Sequence, residues 1–249
     1  EYVYEHLKED VHLASISGGT DIVSCFVIGN PILPVFSGEI QCKSLGVNVD
    51  VFDEDGQSTR EKGELVCKSA LPSMPIGFWN DNNKAKYISS YFSRFKNVWT
   101  QGDFANFTDN DGMIIYGRSD ATLNPGGIRI GTAEIYRAVE TLNAVVESIA
   151  VAQKWDNDIR IVLFVKLQSK EELTEDLREM IKDRIRANTS VRHVPAKIIK
   201  IMDIPKTKSG KIVELSIRDI INGEKPKNLG ALENPECLKE YENIEELKH

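Results

Sequence analysis

Three lysines fall within the seven residues 205–211, PKTKSGK. The serine and glycine among them mark a loop, and such a loop can present a flexible ammonium to a phosphate or a carboxylate. It is not a Walker loop, because Pro205 stands where that motif has its first glycine and Ile212 where it has Ser or Thr. For any one of these lysines the plain alternative is a solvated surface charge. A second stretch, residues 117–135, reads GRSDATLNPGGIRIGTAEI and combines Gly117, Gly126, Gly127 and Gly131 with Arg118, Asp120 and Arg129. Glycines at this density give up packing and raise the entropy cost of ordering, which fits a hinge or a ligand loop; an ordinary surface connection is the alternative. The segment SISGGTD, residues 15–21, is a small-residue loop that would let a ligand approach the backbone, or a plain turn.

The elements that must position these residues differ between the halves of the chain. VHLA and IVSCFVI, flanking SISGGTD, read as a strand and as a buried strand or helix. Residues 31–117 are all-β in texture: residues 47–52 alternate, residues 63–68 form a strand, and turns at residues 53–56 and 109–112 separate such runs, as in a small barrel or sandwich. After Gly131 the pattern becomes helical over residues 132–141, with Ile135, Ala138, Val139 and Leu142 on one face. Strands over residues 145–152 and 159–167 follow. Ser169 with Glu172 predicts a capped helix running to about Ala187, then a strand over residues 196–204 and a helix over residues 213–221. The order α-β-β-α-β-α implies a compact α+β domain, and the change in texture puts the boundary near Asp120. From about residue 222 the tail, with Pro226, Gly230 and Pro235, reads as irregular structure ending in a short acidic helix. The opening ten residues resemble the remnant of a helix whose partners lie upstream.

Composition narrows the function classes. At 249 residues, 41% hydrophobic and 28% charged, the chain suits a globular fold of one or two domains. The net charge of −7 opposes a general nucleic-acid surface, so an anionic ligand would need a locally basic site. No apolar run reaches the roughly 18 residues that span a bilayer, and no basic-then-apolar leader is present, so the reading is a cytoplasmic protein without a membrane partner. The four cysteines and four histidines lack metal spacing, although carboxylates could hold Mg²⁺ beside a nucleotide.

Taken together, PKTKSGK, GRSDATLNPGGIRIGTAEI, SGGTD and WTQGDF resemble the adenylate-forming enzymes, the acyl-CoA synthetases among them. The resemblance runs the length of the chain but covers only the C-terminal part of such an enzyme, and no T-S-G-T-T-G-like phosphate loop occurs. It implies that residues 1–119 end the large AMP-binding domain, with a small β subdomain, and that residues 120–249 are a mobile C-terminal domain. The missing N-terminal part would be the chain's partner, and the chain alone should be inactive. The implied chemistry has two halves: a carboxylate attacks the ATP α-phosphate to give acyl-AMP and pyrophosphate, then the CoA thiol displaces AMP.

The resemblance also implies roles for single residues. Asp120 matches the hinge, Arg118 a ribose contact, Asp103 the carboxylate accepting both ribose hydroxyls, and Arg129 a nucleotide-phosphate contact. Lys211 matches the adenylation lysine, which several acyl-CoA synthetases switch off by reversible acylation. Thr20 matches a phosphate and acyl contact. Asp21 stands where a Mg²⁺-binding glutamate is usual. Gly18 replaces the tryptophan that closes the acyl pocket of acetyl-CoA synthetases, which implies a longer acid such as acetoacetate or butyrate. Gly127 matches the glycine of the pantetheine tunnel, and Arg186 an arginine near the CoA 3′-phosphate, with Arg192 and His193 as substitutes. The rival reading is a module that binds CoA or nucleotide without catalysis.

Overall fold

A computed structural model describes residues 1–227 and 229–249. The backbone divides into two compact units, Glu1–Ser119 and Asp120–His249.

The first unit opens with the single helical turn α1 (Tyr2–His6). Strands β1 (Ser17–Gly19), β2 (Ser24–Ile28) and β3 (Cys42–Lys43) form an antiparallel sheet in that order, with a 3₁₀ turn over Thr20–Ile22 between the first two. A four-stranded antiparallel meander follows: β4 (Val49–Phe52), β5 (Gly63–Cys67), β6 (Trp99–Phe107) and β7 (Met113–Arg118). Ile40 and Met113 exchange backbone hydrogen bonds of 2.8 Å in each direction. Phe26, Val51, Leu65, Trp99 and Met113 are buried at the centre of the unit.

Two expectations fail here. The all-β reading missed helix α2 (Ala85–Tyr91), inserted between β5 and β6. Asp81 supplies its start by accepting from the amides of Lys86 at 3.1 Å and Tyr87 at 2.8 Å. Only Tyr87 and Tyr91 of the helix are buried, four residues apart, so its apolar stripe is too short to stand out in the sequence. The predicted strand at VHLA does not form, and β1 lies inside the supposed SISGGTD loop, paired with β2.

The second unit runs α3 (Thr132–Val139), β8 (Val145–Trp155), β9 (Asp158–Leu167), α4 (Glu175–Asn188), β10 (Lys197–Ile201) and α5 (Glu214–Ile221), the predicted order. β8 and β9 make a long hairpin whose two turn residues, Asp156 and Asn157, have φ of 48° and 60°, the conformation a two-residue hairpin turn requires. β10 joins β9 in parallel after the α4 crossover, giving the order β10-β9-β8. Both faces of this sheet are covered. Ile161, Leu163 and Val165 face the cluster containing Ile135, Ile181 and Ile185, while Val162 and Phe164 face one containing Ile217 and Tyr241. The unbroken apolar run IVLFV is the consequence of this two-sided burial.

The cap of α4 needs correction. Thr174, not Ser169, accepts from the Leu177 amide at 3.2 Å, and Lys170 turns with φ 81°. The two candidate caps lie five residues apart, and acidic residues follow both, Glu171 and Glu172 after Ser169 and Glu175 and Asp176 after Thr174, so the helix dipole alone does not choose between them. The tail forms 3₁₀ turns, Leu229–Ala231, Pro235–Tyr241 and Glu245–Leu247, instead of an acidic α-helix. Leu232, Leu238, Tyr241 and Leu247 bury against the sheet. Among the described residues no helix is long and apolar enough to cross a membrane.

Candidate functional site

In the first unit, Gln101 links two groups of the residues singled out by sequence. Its side-chain oxygen accepts from the Trp99 indole at 2.9 Å, and Trp99 stacks on Tyr91 with ring centroids 3.7 Å apart. The Tyr91 hydroxyl donates to the Asp21 carboxylate at 2.5 Å. Burial pushes the Tyr91 phenol well above its ordinary range, and the neighbouring Asp21 charge adds to this, so Tyr91 stays a donor. The circuit closes over Gly19, where a Cβ would meet the Gln101 amide at 2.6 Å and the Asp21 carboxylate at 2.8 Å. Thr20 is exposed at the start of the 3₁₀ turn, beside Asp21.

The main-chain oxygen of Gln101 accepts from Arg118 at 2.9 Å, and the same guanidinium nitrogen reaches Asp103 at 3.3 Å, its partner across β6 and β7. Arg118 can lie there because Gly102, at φ 84°, leaves its place open; a Cβ would sit 2.4 Å from the guanidinium. Behind them Ser119 donates to the fully buried Glu64 at 2.9 Å, and Glu64 also pairs with Arg94. Sequence reasoning quoted Gln101 inside WTQGDF but gave it no role, and it missed Tyr91 and Glu64. Two tyrosines four residues apart, Tyr87 and Tyr91, are the only trace of this contact in the sequence, too short a pattern to assign a role.

Gly18 pairs with Cys25 across β1 and β2. A Cβ here would lie 2.2 Å from the Ser24 carbonyl oxygen and 2.4 Å from the Cys25 Cα. This close backbone approach requires glycine whatever lies beyond it.

In the second unit, Asp120 opens the chain segment, and its carbonyl accepts from Arg218 at 3.1 Å. Glu214 lies beside it in the first turn of α5, accepting from Tyr136 at 3.2 Å and Thr132 at 3.3 Å. Burial pushes the Glu214 carboxyl above its ordinary range, those hydroxyls oppose the shift, and the Asp120 charge adds to it. Gly127 is exposed at φ 79°, with nothing within 4 Å of a Cβ position, and the neighbouring Gly126 amide donates to Asp158 at 2.9 Å. Arg129 is half-buried between Ile128 and Ile130. Arg186 is exposed near the end of α4, and its guanidinium is engaged by Asp183. His193 bonds Ser190 at 2.9 Å, with Glu134 3.7 Å from its other nitrogen.

The lysine loop is a tight hairpin. Lys206 and Ile212 form an antiparallel bridge, Gly210 turns at φ 79°, and Thr207 accepts from the Gly210 amide at 2.8 Å. Lys206 pairs with Glu147. Lys211 is exposed, and among the described residues its ammonium has no hydrogen bond or ion pair. Such a group is available to an anionic ligand.

Among the described residues no three His, Cys, Asp or Glu side chains gather to hold a metal ion. Asp21, the residue matched to a Mg²⁺ contact, accepts from Tyr91 on one carboxylate oxygen.

No family model matches the chain. It is 60% identical over 248 residues to an acetoacetyl-coenzyme A synthetase of Rhizobium meliloti, across 99% of this chain and 38% of that protein. It is 46% identical to the acetoacetyl-CoA synthetase of Xenopus tropicalis, across 100% of this chain and 38% of the relative. The solved acetoacetyl-CoA synthetase from Streptomyces lividans superposes with a TM-score of 0.88 at 39% identity, covering 95% of this chain and 36% of that one. An anthranilate CoA ligase in complex with anthranoyl-AMP, at 21% identity and TM-score 0.71 over 85% of this chain and 39% of its own, shares the fold. The chain thus spans little more than a third of the length of these relatives.

Proposed function

The chain is related over its whole length to acetoacetyl-CoA synthetases and has the fold of adenylate-forming enzymes, and from this premise we propose that it is the C-terminal portion of an acetoacetate-activating ligase. The observation that carries the reading is the 60% identity over 248 residues, 99% of the chain. In the complete enzyme, acetoacetate attacks the ATP α-phosphorus and expels pyrophosphate, and the CoA thiol then attacks the acyl carbon and releases AMP. ATP and CoA are the co-substrates, and Mg²⁺ accompanies ATP.

In this reading Lys211 supplies the cation for adenylation. Its ammonium neutralises charge building on the carboxylate and α-phosphate, an effect worth roughly 3–4 kcal/mol for one well-placed donor. Asp103 receives the ribose hydroxyls, and Arg118, already on Asp103, approaches the same sugar. Thr20 and Asp21 face the phosphates, held by the Tyr91–Trp99–Gln101 circuit. Asp120 is the pivot about which the second unit turns, and Gly127 and Arg129 lie on the segment exchanged between half-reactions. Arg186 would reach CoA only after leaving Asp183. Gly18 keeps the acyl pocket open by the same close strand approach that forbids a side chain there.

The test uses the complete enzyme. Lys211→Ala should lower acetoacetate-dependent pyrophosphate release by a factor of roughly 10²–10³ while sparing thioester formation from supplied acyl-adenylate. Equal loss of both halves would reject the assigned role. A panel of acetate, acetoacetate and butyrate tests the acid, and the 249-residue chain alone should release no pyrophosphate.

A further inference from the structure

The tail is tied to the hairpin that carries Lys211. On one side of the segment Lys206–Thr207–Lys208 runs the return arm of the hairpin; on the other runs the tail. Thr207 forms an antiparallel bridge to Leu232, flanked by Lys208 donating to the Ala231 carbonyl at 3.2 Å and Glu233 donating to the Lys206 carbonyl at 2.8 Å. The hairpin is therefore the centre of a small three-stranded arrangement whose third strand is the tail. Thr207 transmits this to Lys211: its amide donates to the Lys211 carbonyl at 2.8 Å and its hydroxyl accepts from the Lys211 amide at 3.1 Å.

One side chain, Asn234, fastens the junction. Its amide oxygen accepts from the Lys206 backbone at 2.9 Å, and its amide nitrogen donates to the Ile204 carbonyl at 2.9 Å and the Asp203 carboxylate at 2.5 Å. Asp203 and Ile204 precede the hairpin and Lys206 is its first bridged residue, so Asn234 fixes the direction in which the chain enters it. The tail is in turn seated by Tyr241, buried and donating to the Asp203 carbonyl at 2.8 Å. A seven-residue loop closed by a glycine turn would otherwise lose its order readily, since each freed residue regains backbone entropy.

We propose that the tail strand at Leu232, fastened by Asn234, is a positioning element for Lys211 in the adenylation step. The inference rests on the reading of Lys211 as the adenylation cation. Asn234 touches no reacting atom; it acts by restricting where the exposed ammonium can travel.

Two measurements test it. In the 249-residue chain, Asn234→Ala should speed amide hydrogen exchange at Lys206, Lys208 and Lys211 by roughly 10-fold. Ile185→Val, on the opposite face of the sheet, serves as a control matched for stability and should leave these amides within about 2-fold of the parent. If Asn234→Ala does not fold, Asn234→Ser, which keeps a short acceptor for Lys206, should show a smaller rise at the same amides. In the complete enzyme, Asn234→Ala should slow acetoacetate-dependent pyrophosphate formation by roughly 10-fold, with thioester formation from supplied acyl-adenylate within about 2-fold. Unchanged exchange at the hairpin, exchange that rises without loss of adenylation, or equal loss of both half-reactions overturns the positioning role. Lys211→Ala in the same enzyme separates the cases: if it slows both halves equally, the reading of Lys211 has failed as well.

Discussion

In the first unit the charged side chains are themselves tied to neighbours, whereas in the second the backbone of the exposed lysine is held and, among the described residues, its ammonium is not. Asp21, Tyr91, Trp99, Gln101, Asp103 and Arg118 form a connected set across α2, β6, β7 and the turn after β1. Among the described residues the Lys211 ammonium has no such partner; its hairpin and the tail hold its backbone and leave the ammonium loose. The contrast matches the demands of the proposed chemistry. A nucleotide site gains from groups already oriented before binding, while a cation that meets charge developing in one half-reaction must be able to leave for the other.

The glycines make the same contrast, and substituting them sharpens it. Gly18→Ala should have the largest effect on stability, about 3 kcal/mol or more, because the added methyl collides with backbone that no rotamer change can move. Denaturant unfolding of the 249-residue chain measures this, and a loss below about 1 kcal/mol would show that β1 and β2 can separate freely.

Two carboxyl groups respond to pH with opposite signs. Burial raises the Asp50 carboxyl, but hydrogen bonds from Lys68 at 2.6 Å, Ser58 at 2.6 Å and the Val51 amide outweigh it and hold the group below its ordinary 3.8. A lowered folded value stabilises above the unfolded one, and the contribution is lost as pH falls through the folded value. Asp50→Asn should therefore lose about 2 kcal/mol at pH 7, with the gap closing below pH 3.8. Glu214 is shifted the other way, so its ionised form opposes folding once pH rises above its ordinary 4.5. Glu214→Gln keeps an acceptor for Thr132 and Tyr136 and should gain about 1 kcal/mol at neutral pH, with no gain below pH 4.5. Thermal melts of both variants at pH 3, 5 and 7 check the signs. Two curves of the same sign would remove the contrast.

The smallest effect belongs to Gly127→Ala. No atom lies within 4 Å of the new methyl, and only the φ of 79° is strained, so the loss should be about 1 kcal/mol. Its binding effect is the informative one: in the complete enzyme, a raised KM for CoA with unchanged pyrophosphate formation would place this glycine on the thioester side.

How legible the fold was depended on the length of each pattern. The β8–β9 hairpin spans many residues with two-sided burial, and its apolar run could be read directly. Helix α2 has two buried residues and could not. At α4 two good capping residues, Ser169 and Thr174, competed, and local chemistry did not choose between them. Among the site residues, Lys211 and the glycines were visible as composition. The Asp21–Tyr91 hydrogen bond, between residues 70 positions apart, was not.

By itself the sequence determined the order of elements in the second unit, the change of texture after Gly131, and which short segments carry charge and glycine enough to meet an anionic ligand. These follow from periodicity and residue chemistry over a few neighbouring positions. Only the tertiary structure decided that Tyr91, Trp99 and Gln101 join Asp21 to Arg118, that Gly18 is required by the close pairing of β1 with β2, and that the tail completes the lysine hairpin. The first and third depend on groups far apart in the chain meeting within hydrogen-bond or van der Waals distance, and the second on the pairing of two adjacent strands, meetings set by the packing of elements.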